Sequence, residues 1–221
     1  MINGKMSNNR KRIKEIILIL RKTYPKSHTA LNFKNPLQIL IATILSAQCT
    51  DAKVNQITPS LFKKYKTPAD FANADQIELE KEIKSTGFFR NKARSIIGAS
   101  KKIVSDHKGI VPNDMKDLVT LPGVARKTAN IVLSSAFNKV EGIAVDTHVK
   151  RLSMRLGLSR EKDANKIEKD LMAVVPKSDW LDFNYILVNH GREVCLARKP
   201  RCNLCVIKKL CPYFKSSVQG T

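Results

Sequence analysis

The amino-acid sequence predicts an all-α protein. Apolar residues recur with a spacing of about 3.6 residues along most of the chain, whereas the period-two alternation typical of strands is nearly absent. Residues that favour helix starts and helix ends flank these periodic segments. Hydrophobic residues make up 43% of the 221 residues, a proportion that indicates a globular core and argues against a disordered chain.

The first half of the chain contains six periodic segments. Asn35 is placed to cap one of them, because an Asn side chain accepts hydrogen bonds from first-turn amides, and Pro36 suits the first helical position. Gly87 is expected to end another, since glycine readily adopts the left-handed conformation of a C-cap. The predicted helices lie over about 9–24, over 36–49, after a cap at Asp51, after Thr67, after Asp75 and over 91–107.

The second half continues the helical pattern, with a tight Pro-Gly turn at 122–123 between its first two helices. No internal repeat is visible in it, and residues 215–221 are predicted to form a polar tail. The predicted helices lie near 114–119 and over 126–137, 147–156, 163–174 and 182–190.

Two segments, 26–34 and 138–142, have the composition of linkers. They isolate a central block, which we predict to be a six-helix domain over 28–139. Residues 1–27 and 140–214 are then expected to form one composite helical domain, in which the first helix packs with the C-terminal helices. Two independent modules are the alternative.

The charge balance indicates a polyanionic partner. Forty Lys and Arg residues against nineteen Asp and Glu residues leave a net charge of +21. Such an excess repels itself, and a nucleic acid is the usual compensation. The longest apolar run, 39–45, is far shorter than the ~20 residues of a membrane helix, and the apolar stretch at 16–20 is too short for a signal peptide. We therefore expect no membrane association and a cytoplasmic, DNA-associated protein.

Four cysteines cluster near the end of the chain in the spacing C-x6-C-x2-C-x5-C: Cys195, Cys202, Cys205 and Cys211. An all-sulfur ligand set suits zinc or an iron–sulfur centre. Zinc sites usually contain two close cysteine pairs, whereas this segment has one, which favours iron–sulfur and leaves zinc as the alternative. The fifth cysteine, Cys49, is expected to be a small buried residue at a helix end.

The segment 121–127, Leu-Pro-Gly-Val-Ala-Arg-Lys, joins two predicted helices. Amides at a helix start carry partial positive charge and bind phosphate without reading base sequence, and Gly123 would let a phosphate approach the main chain. Taken alone, such a turn is more often only a connection. The helix dipole and Arg126 both favour the neutral, nucleophilic form of Lys127, although a lysine in this place is more usually a phosphate contact.

Several segments, in this order, resemble the endonuclease III family of DNA glycosylases. Residues 121–129 resemble its helix-hairpin-helix element, residues 145–149 resemble the segment around its catalytic aspartate, and the cysteine spacing is that of its iron–sulfur loop. Residues 46–51 resemble a further family segment. The likeness covers 46–211 and departs from the family at Ala125, where a second glycine is common.

The resemblance implies a bifunctional DNA glycosylase and apurinic/apyrimidinic lyase acting on oxidised pyrimidines in duplex DNA. Lys127 would form a Schiff base with the deoxyribose, and Asp146 would stabilise positive charge on the sugar. From the residues alone, Asp146 would simply cap the helix that follows it. The resemblance also implies that the four clustered cysteines hold a [4Fe–4S] cluster, that no nucleotide cofactor is used, and that the protein is a monomer.

The resemblance further implies which residues contact DNA. A base must leave the stack before its sugar can be attacked. Gln48 is expected to hydrogen-bond to the orphaned partner base, and Phe88 is expected to be the wedge that fills the gap. The other predicted contacts lie in the hairpin and in the loop after Cys195, namely Leu121, Gly123, Ala125, Arg126, Lys199 and Arg201.

Two alternatives remain at this point. A monofunctional glycosylase for mismatched adenine, or for uracil and thymine, would use an activated water. Lys127 argues against it, because those relatives generally lack a lysine there. The second alternative is a DNA-binding iron–sulfur module with no catalysis, in which Lys127 would be one phosphate contact among many.

Overall fold

The structure is a computed structural model that describes residues 2–25 and 29–218, with side-chain surroundings for 10–25 and 29–216. Within these ranges the chain forms α-helices and short 3-10 turns and no strand, so the predicted all-α fold is confirmed. Part of the predicted linker at 26–34 lies outside the described residues. Among the described helices, none combines the length and the apolar character needed to span a bilayer.

The predicted helices occur in the predicted order, and most of their bounds lie close to the predicted ones. Short 3-10 turns lie at Lys84–Thr86, Lys177–Asp179, Cys202–Leu204 and Lys208–Leu210. The α-helices of the described residues are α1 (Ile2–Thr23), α2 (Pro36–Leu45), α3 (Asp51–Lys64), α4 (Pro68–Ala72), α5 (Gln76–Ile83), α6 (Phe89–His107), α7 (Met115–Leu118), α8 (Arg126–Phe137), α9 (Thr147–Arg155), α10 (Ala164–Val174), α11 (Trp180–Glu193) and α12 (Pro212–Val218).

The chain divides into two compact units. The first, called the terminal unit, consists of Met1–His28 and Gly142–Thr221, and the second, called the central unit, consists of Thr29–Glu141. Helix α1 therefore belongs to the same unit as the C-terminal helices. The central unit, which the structure describes in full, contains seven α-helices, α2 to α8, and not the predicted six, because the short α4, α5 and α7 all form separate helices.

The core of the central unit is built around α2. Its apolar residues are buried on every side of the helix, and it packs against α3, α6 and α8. Its buried Thr43 remains satisfied because the hydroxyl donates to the Ile39 carbonyl at 2.7 Å. Each buried aliphatic side chain stabilises the fold by about 1.5–3 kcal/mol. This helix is therefore the rigid support for the turns that follow it.

The core of the terminal unit joins the two ends of the sequence. Helix α1 packs on α10 and α11, and α9 packs on the same two helices. Fully buried side chains from α1 and α11 meet in this core, among them Ile13, Ile16, Leu20, Phe183 and Ile186. The helices that carry the cysteine segment are thus held by packing on the N-terminal helix.

The structure corrects the predicted end of α2, which is Leu45 and not residue 49. The Ser46 hydroxyl donates to the Thr43 carbonyl at 2.9 Å, and the Cys49 N–H donates to the Ser46 carbonyl at 3.1 Å. The Leu45 carbonyl, which a longer helix would pair with residue 49, instead accepts a hydrogen bond from the Lys92 ammonium at 2.7 Å. Helix periodicity alone could not reveal this competition.

One smaller prediction was also wrong. Thr50, and not Asp51, caps α3, because its hydroxyl accepts from the Lys53 N–H at 3.2 Å and Asp51 is already the first helical residue. The predicted polar tail at 215–221 overlaps α12, which extends to Val218. Helix α12 begins at a proline, and the Tyr213 ring in its first turn lies 4.8 Å from the Arg155 guanidinium.

Candidate functional site

Residues 121–125 form a tight turn between α7 and α8. The Val124 N–H donates to the Leu121 carbonyl at 3.0 Å, and Gly123 has φ +77°, a conformation that favours glycine. The side chains of Leu121 and Val124 are buried, whereas Gly123 and Ala125 are exposed. The turn is therefore anchored by its apolar side chains and exposes backbone between them. Leu121 can contact a ligand only through its main chain.

The packing beneath the turn requires glycine for a second reason. A Cβ atom added to Gly123 would lie 2.6 Å from the Cβ atom of Ser95 on α6. Any side chain would push the turn away from that helix. Gly123 thus fixes how closely the hairpin sits on α6.

Helix α8 begins directly after the turn. Its N-cap residue, Ala125, has no side-chain oxygen, so no cap side chain accepts a hydrogen bond from the first-turn amides. Ala125 has φ −83°, which any residue can adopt, so alanine fits where the resembled family often has glycine. Lys127, the second helical residue, is exposed, and Arg126 beside it is half-buried. The side chains of Lys127 and Arg126 therefore lie together at a helix N-terminus that has no side-chain cap.

Gln48 and Phe88, the predicted base reader and wedge, lie in turns and not in helices. Gln48 follows the end of α2 with φ +52°, and Phe88 precedes α6 with φ +49°. Both side chains are exposed, Phe88 by 61%. A left-handed conformation in a residue other than glycine costs about 1–3 kcal/mol, and it persists only where the surroundings enforce it. The neighbouring Phe89 packs against the core of the central unit.

Lys92 is a residue that sequence reasoning missed. It lies in the first turn of α6, its side chain is only 5% exposed, and burial lowers its pKa. Its Nζ donates to the carbonyls of Leu45 at 2.7 Å and Thr86 at 2.8 Å. A lysine at an apolar position of a helical pattern was the signal available in the sequence.

Asp146 is the N-cap of α9. Its Oδ1 accepts from the Val149 N–H at 2.8 Å, and the side chain is half-buried. Next to it, burial lowers the pKa of His148, whose Nδ1 lies 3.1 Å from the Arg151 guanidinium. The capping role inferred from the residues alone is therefore present, and it uses one of the two carboxylate oxygens.

All four clustered cysteines line one cavity in the terminal unit, with a volume of about 400 Å³ including the open space at its mouth. None of the four forms a disulfide, and burial raises the pKa of the Cys205 thiol to about 11. Much of the remaining lining is apolar, from side chains that include Leu152, Leu156, Val194, Ile207 and Phe214. Within the described residues, no three His, Cys, Asp or Glu side chains converge closely enough to hold one metal ion.

Two arginines of α9, also missed by sequence reasoning, hold the start of the cysteine loop. Arg155 donates to the Cys195 Sγ at 3.1 Å and to the Leu196 carbonyl at 2.7 Å. Arg151 donates to the carbonyls of Cys195 at 3.1 Å and Gly191 at 2.9 Å. Residues four apart share one face of a helix. The sequence showed only that spacing of two cations on one helix, and it did not indicate the contact because Cys195 lies 40 residues after Arg155.

The loop between the first two clustered cysteines is strongly basic. Arg198, Lys199 and Arg201 are all exposed, and Lys199 has φ +47°. The Arg201 N–H donates to the Val194 carbonyl at 2.9 Å, which ties the end of the loop to α11. The loop thus displays three cations on a backbone that is fixed at both ends.

The chain matches a family model over residues 41–177, and that model describes the HhH-GPD superfamily base excision DNA repair protein. Among curated proteins, it is 52% identical to the endonuclease III of a Synechocystis strain over 96% of this chain and 97% of the relative. It is 49% identical to the endonuclease III of Bacillus subtilis over 85% of this chain and 86% of the relative.

The chain is also similar to solved structures of endonuclease III. A trapped covalent endonuclease III–DNA intermediate superposes with a TM-score of 0.89 at 42% identity, covering 95% of this chain and 98% of that chain. A non-covalent endonuclease III–DNA complex superposes with a TM-score of 0.88 at the same identity and coverage.

Proposed function

The chain belongs to the HhH-GPD superfamily of base excision DNA repair proteins, and on this premise we propose that it is a bifunctional DNA glycosylase and apurinic/apyrimidinic lyase of the endonuclease III type. It removes oxidised pyrimidines from duplex DNA and then cuts the strand 3′ to the abasic site. The observation that carries the proposal is Lys127, an exposed amine in the first turn of α8, directly after the hairpin.

Binding to the duplex rests on charge and on backbone donors. The start of α8, which has no side-chain cap, binds a phosphate, and Gly123 lets the phosphate approach the main chain. Lys199 and Arg201 contact the sugar–phosphate backbone from the cysteine loop, and the net charge of +21 attracts the polyanion. The proposal places the protein in the cytoplasm, as a monomer on DNA, without a nucleotide cofactor.

Extrusion of the damaged nucleotide uses the two exposed turns of the central unit. Phe88 inserts into the stack in place of the extruded base, since an exposed aromatic ring gains apolar and stacking contacts there. Gln48 carries both a donor and an acceptor, and it pairs with the base left without a partner. The damaged nucleotide then occupies the reactive site.

The chemistry is carried by the Lys127 amine. The neutral Nζ forms a bond to C1′ of the deoxyribose while the N-glycosidic bond breaks, and the damaged base leaves with the bonding electrons and takes up a proton. Opening of the sugar ring and loss of a proton from the amine give the Schiff base. Removal of the C2′ proton then breaks the C3′–O bond, which cuts the strand.

Asp146 assists the reaction. Its carboxylate stabilises the positive charge that develops on the sugar as the base leaves, and it can move protons during the later steps. The cap to α9 fixes the side chain, because the hydrogen bond to the Val149 N–H holds one of its oxygens in place. The cap and the catalytic role are therefore compatible.

The cysteine cavity fits a [4Fe–4S] cluster. In such a cluster each thiolate binds a different iron, so the sulfurs must surround a cavity, as Cys195, Cys202, Cys205 and Cys211 do. The surrounding apolar side chains and the Arg155 hydrogen bond to the Cys195 sulfur suit an anionic metal–sulfur group. When bound, the cluster cross-links the loop; the proposal gives it a structural role.

Borohydride trapping tests the proposed reaction. Incubation with a duplex that contains one oxidised pyrimidine should give a covalent protein–DNA adduct when borohydride is present. Lys127→Gln should abolish the adduct, whereas Lys116→Gln, which alters an exposed lysine on α7, should retain it. Release of the base without an adduct would instead indicate a monofunctional, water-using enzyme. Binding without either reaction would indicate a non-catalytic module.

Metal analysis tests the proposed cluster. The purified protein should absorb visible light and contain about four irons and four sulfides per chain. Cys202→Ser should lose the iron and the colour, whereas Cys49→Ser, at the cysteine outside the cavity, should keep both. One equivalent of zinc and no sulfide would contradict the cluster.

A further inference from the structure

The buried ammonium of Lys92 joins two turns of the central unit that are distant in sequence. Its Nζ donates to the Leu45 carbonyl at 2.7 Å, 47 residues away in sequence, and to the Thr86 carbonyl at 2.8 Å. Leu45 is the last residue of α2, and Thr86 is the last residue of the 3-10 turn before α6. Carbonyls at the ends of helical segments lack an intrahelical donor, so one cation satisfies both.

The two carbonyls lie close to the two residues proposed to enter DNA. Gln48 comes three residues after Leu45, and Phe88 comes two residues after Thr86. Both Gln48 and Phe88 have left-handed backbone conformations, at φ +52° and +49°. Strained conformations of this kind require surroundings that hold them, and Lys92 supplies a contact to the segment before each.

We propose that Lys92 is a positioning residue that holds the Gln48 turn and the Phe88 turn at a fixed separation, so that the reader and the wedge enter the duplex together. This inference rests on the proposed function, because it requires that Gln48 and Phe88 act on DNA. Lys92 itself is only 5% exposed, so its side chain is not available to bind DNA directly. Its effect is to order the two turns before binding, so that less entropy is lost on insertion.

Two steps of the reaction should depend on Lys92 to different extents. Extrusion of a base from a duplex needs both turns, whereas cutting at an abasic site in a single strand needs no extrusion. Lys92→Met keeps the aliphatic part of the side chain and removes the donors. It should therefore slow base removal from a duplex and leave single-strand abasic cutting intact.

The experiment compares single-turnover rates on these two substrates. Lys92→Met should lower the rate on the lesion-bearing duplex about tenfold, equivalent to ~1.4 kcal/mol, and change the single-strand rate by less than about twofold. A 2-aminopurine beside the lesion, which fluoresces when unstacked, should show extrusion slowed by the same factor. Equal losses on both substrates, or no loss on either, would overturn the proposal.

Two further variants make the test specific. In a Phe88→Ala background, Lys92→Met should cost less than it does in the wild-type protein, because its effect through the Phe88 turn is already lost and only its effect through the Gln48 turn remains. Additive losses would show that Lys92 does not act through that turn.

Lys92→Gln keeps donors on a shorter side chain and should retain an intermediate rate on the duplex substrate. If Lys92→Met does not fold, the duplex-to-single-strand rate ratio of Lys92→Gln decides, and a ratio equal to wild type overturns the proposal.

The experiment distinguishes failure of the proposed function from failure of the positioning role. Wild-type protein that neither releases the damaged base nor cuts the abasic strand would refute the glycosylase and lyase activities themselves. Wild-type activity with no change in the Lys92 variants would refute only the positioning role.

Discussion

The hydroxyl of Tyr24, the residue after α1, lies 3.2 Å from the Nδ1 atom of His190 in the last turn of α11. The two residues are 166 positions apart in sequence, and their rings meet edge to face. Burial lowers the pKa of His190 to about 4, so the imidazole is neutral at ordinary pH. On its other side, the His190 Nε2 atom lies 3.4 Å from the Cys205 sulfur. The N-terminal segment is thereby linked to the cysteine cavity.

Tyr24→Phe should lower the free energy of unfolding at neutral pH by about 1 kcal/mol, since it removes one buried hydrogen bond. Burial, with the Glu193 carboxylate contributing, raises the pKa of Tyr24 from 10.0 to about 12. A raised pKa means that the neutral phenol stabilises the fold below pH 10, and that this contribution is lost as the pH rises from 10 to 12. Denaturant unfolding of the wild-type protein and of Tyr24→Phe should show that the difference in their free energies of unfolding becomes smaller from pH 10 to pH 12. If that difference did not change with pH, the raised pKa of Tyr24 would be contradicted.

Gly123→Ala should destabilise the hairpin and weaken DNA binding. Alanine at φ +77° is strained, and its Cβ would lie 2.6 Å from the Cβ of Ser95. Together these effects should lower the free energy of unfolding by about 1–3 kcal/mol, measurable by urea titration.

Gly109 provides the matched control for that substitution. It has the same φ of +77°, but a Cβ added there meets nothing within 4 Å. Gly109→Ala therefore carries the strain without the clash, and it should be less destabilised and retain DNA affinity. Equal stability and affinity in the two variants would show that close packing on α6 does not position the hairpin.

Substitutions of Asp146 should separate its cap from its charge. Asn is as good an N-cap as Asp, so Asp146→Asn should keep thermal stability while slowing base removal at least about a hundredfold. Asp146→Ala should lose the same activity and also about 1 kcal/mol of stability, because it removes the hydrogen bond to the Val149 N–H. Full activity in Asp146→Asn would leave only the capping role.

Removal of cations from the cysteine loop should weaken DNA binding in a way that salt reveals. Lys199→Ala and Arg201→Ala should each make the slope of log affinity against log salt shallower by about 0.9, the value for one phosphate contact. Lys169→Ala, at an exposed lysine on α10, should leave the slope unchanged. Equal slopes for the loop variants and this control would place the loop away from the DNA.

Local features of the fold could be predicted from the sequence because they depend on neighbouring residues. The bounds of α8 at 126–137 and the cap at Asn35 match the prediction, and the helix predicted after Asp75 begins at Gln76 with Asp75 as its cap. Each cap is a side chain accepting from an amide three residues later, so its geometry is set within one helical turn. The spacing of the four cysteines is a local feature of the same kind.

Other features were decided by contacts between distant segments. Periodicity predicted α2 to residue 49, but the Lys92 ammonium binds the Leu45 carbonyl, and the helix ends there. The turn that contains Gln48 begins directly after Leu45. Likewise, Arg155 supports the cysteine loop from 40 residues away.

The sequence by itself therefore determined the helical class, most helix bounds and the residue types available for DNA repair chemistry. The tertiary structure alone decided which carbonyls the buried Lys92 satisfies and how α9 holds the cysteine segment. The physical reason is that a hydrogen bond within one turn is specified by residues three or four apart. The partner of a buried cation, in contrast, depends on which distant carbonyls the packed core brings within reach.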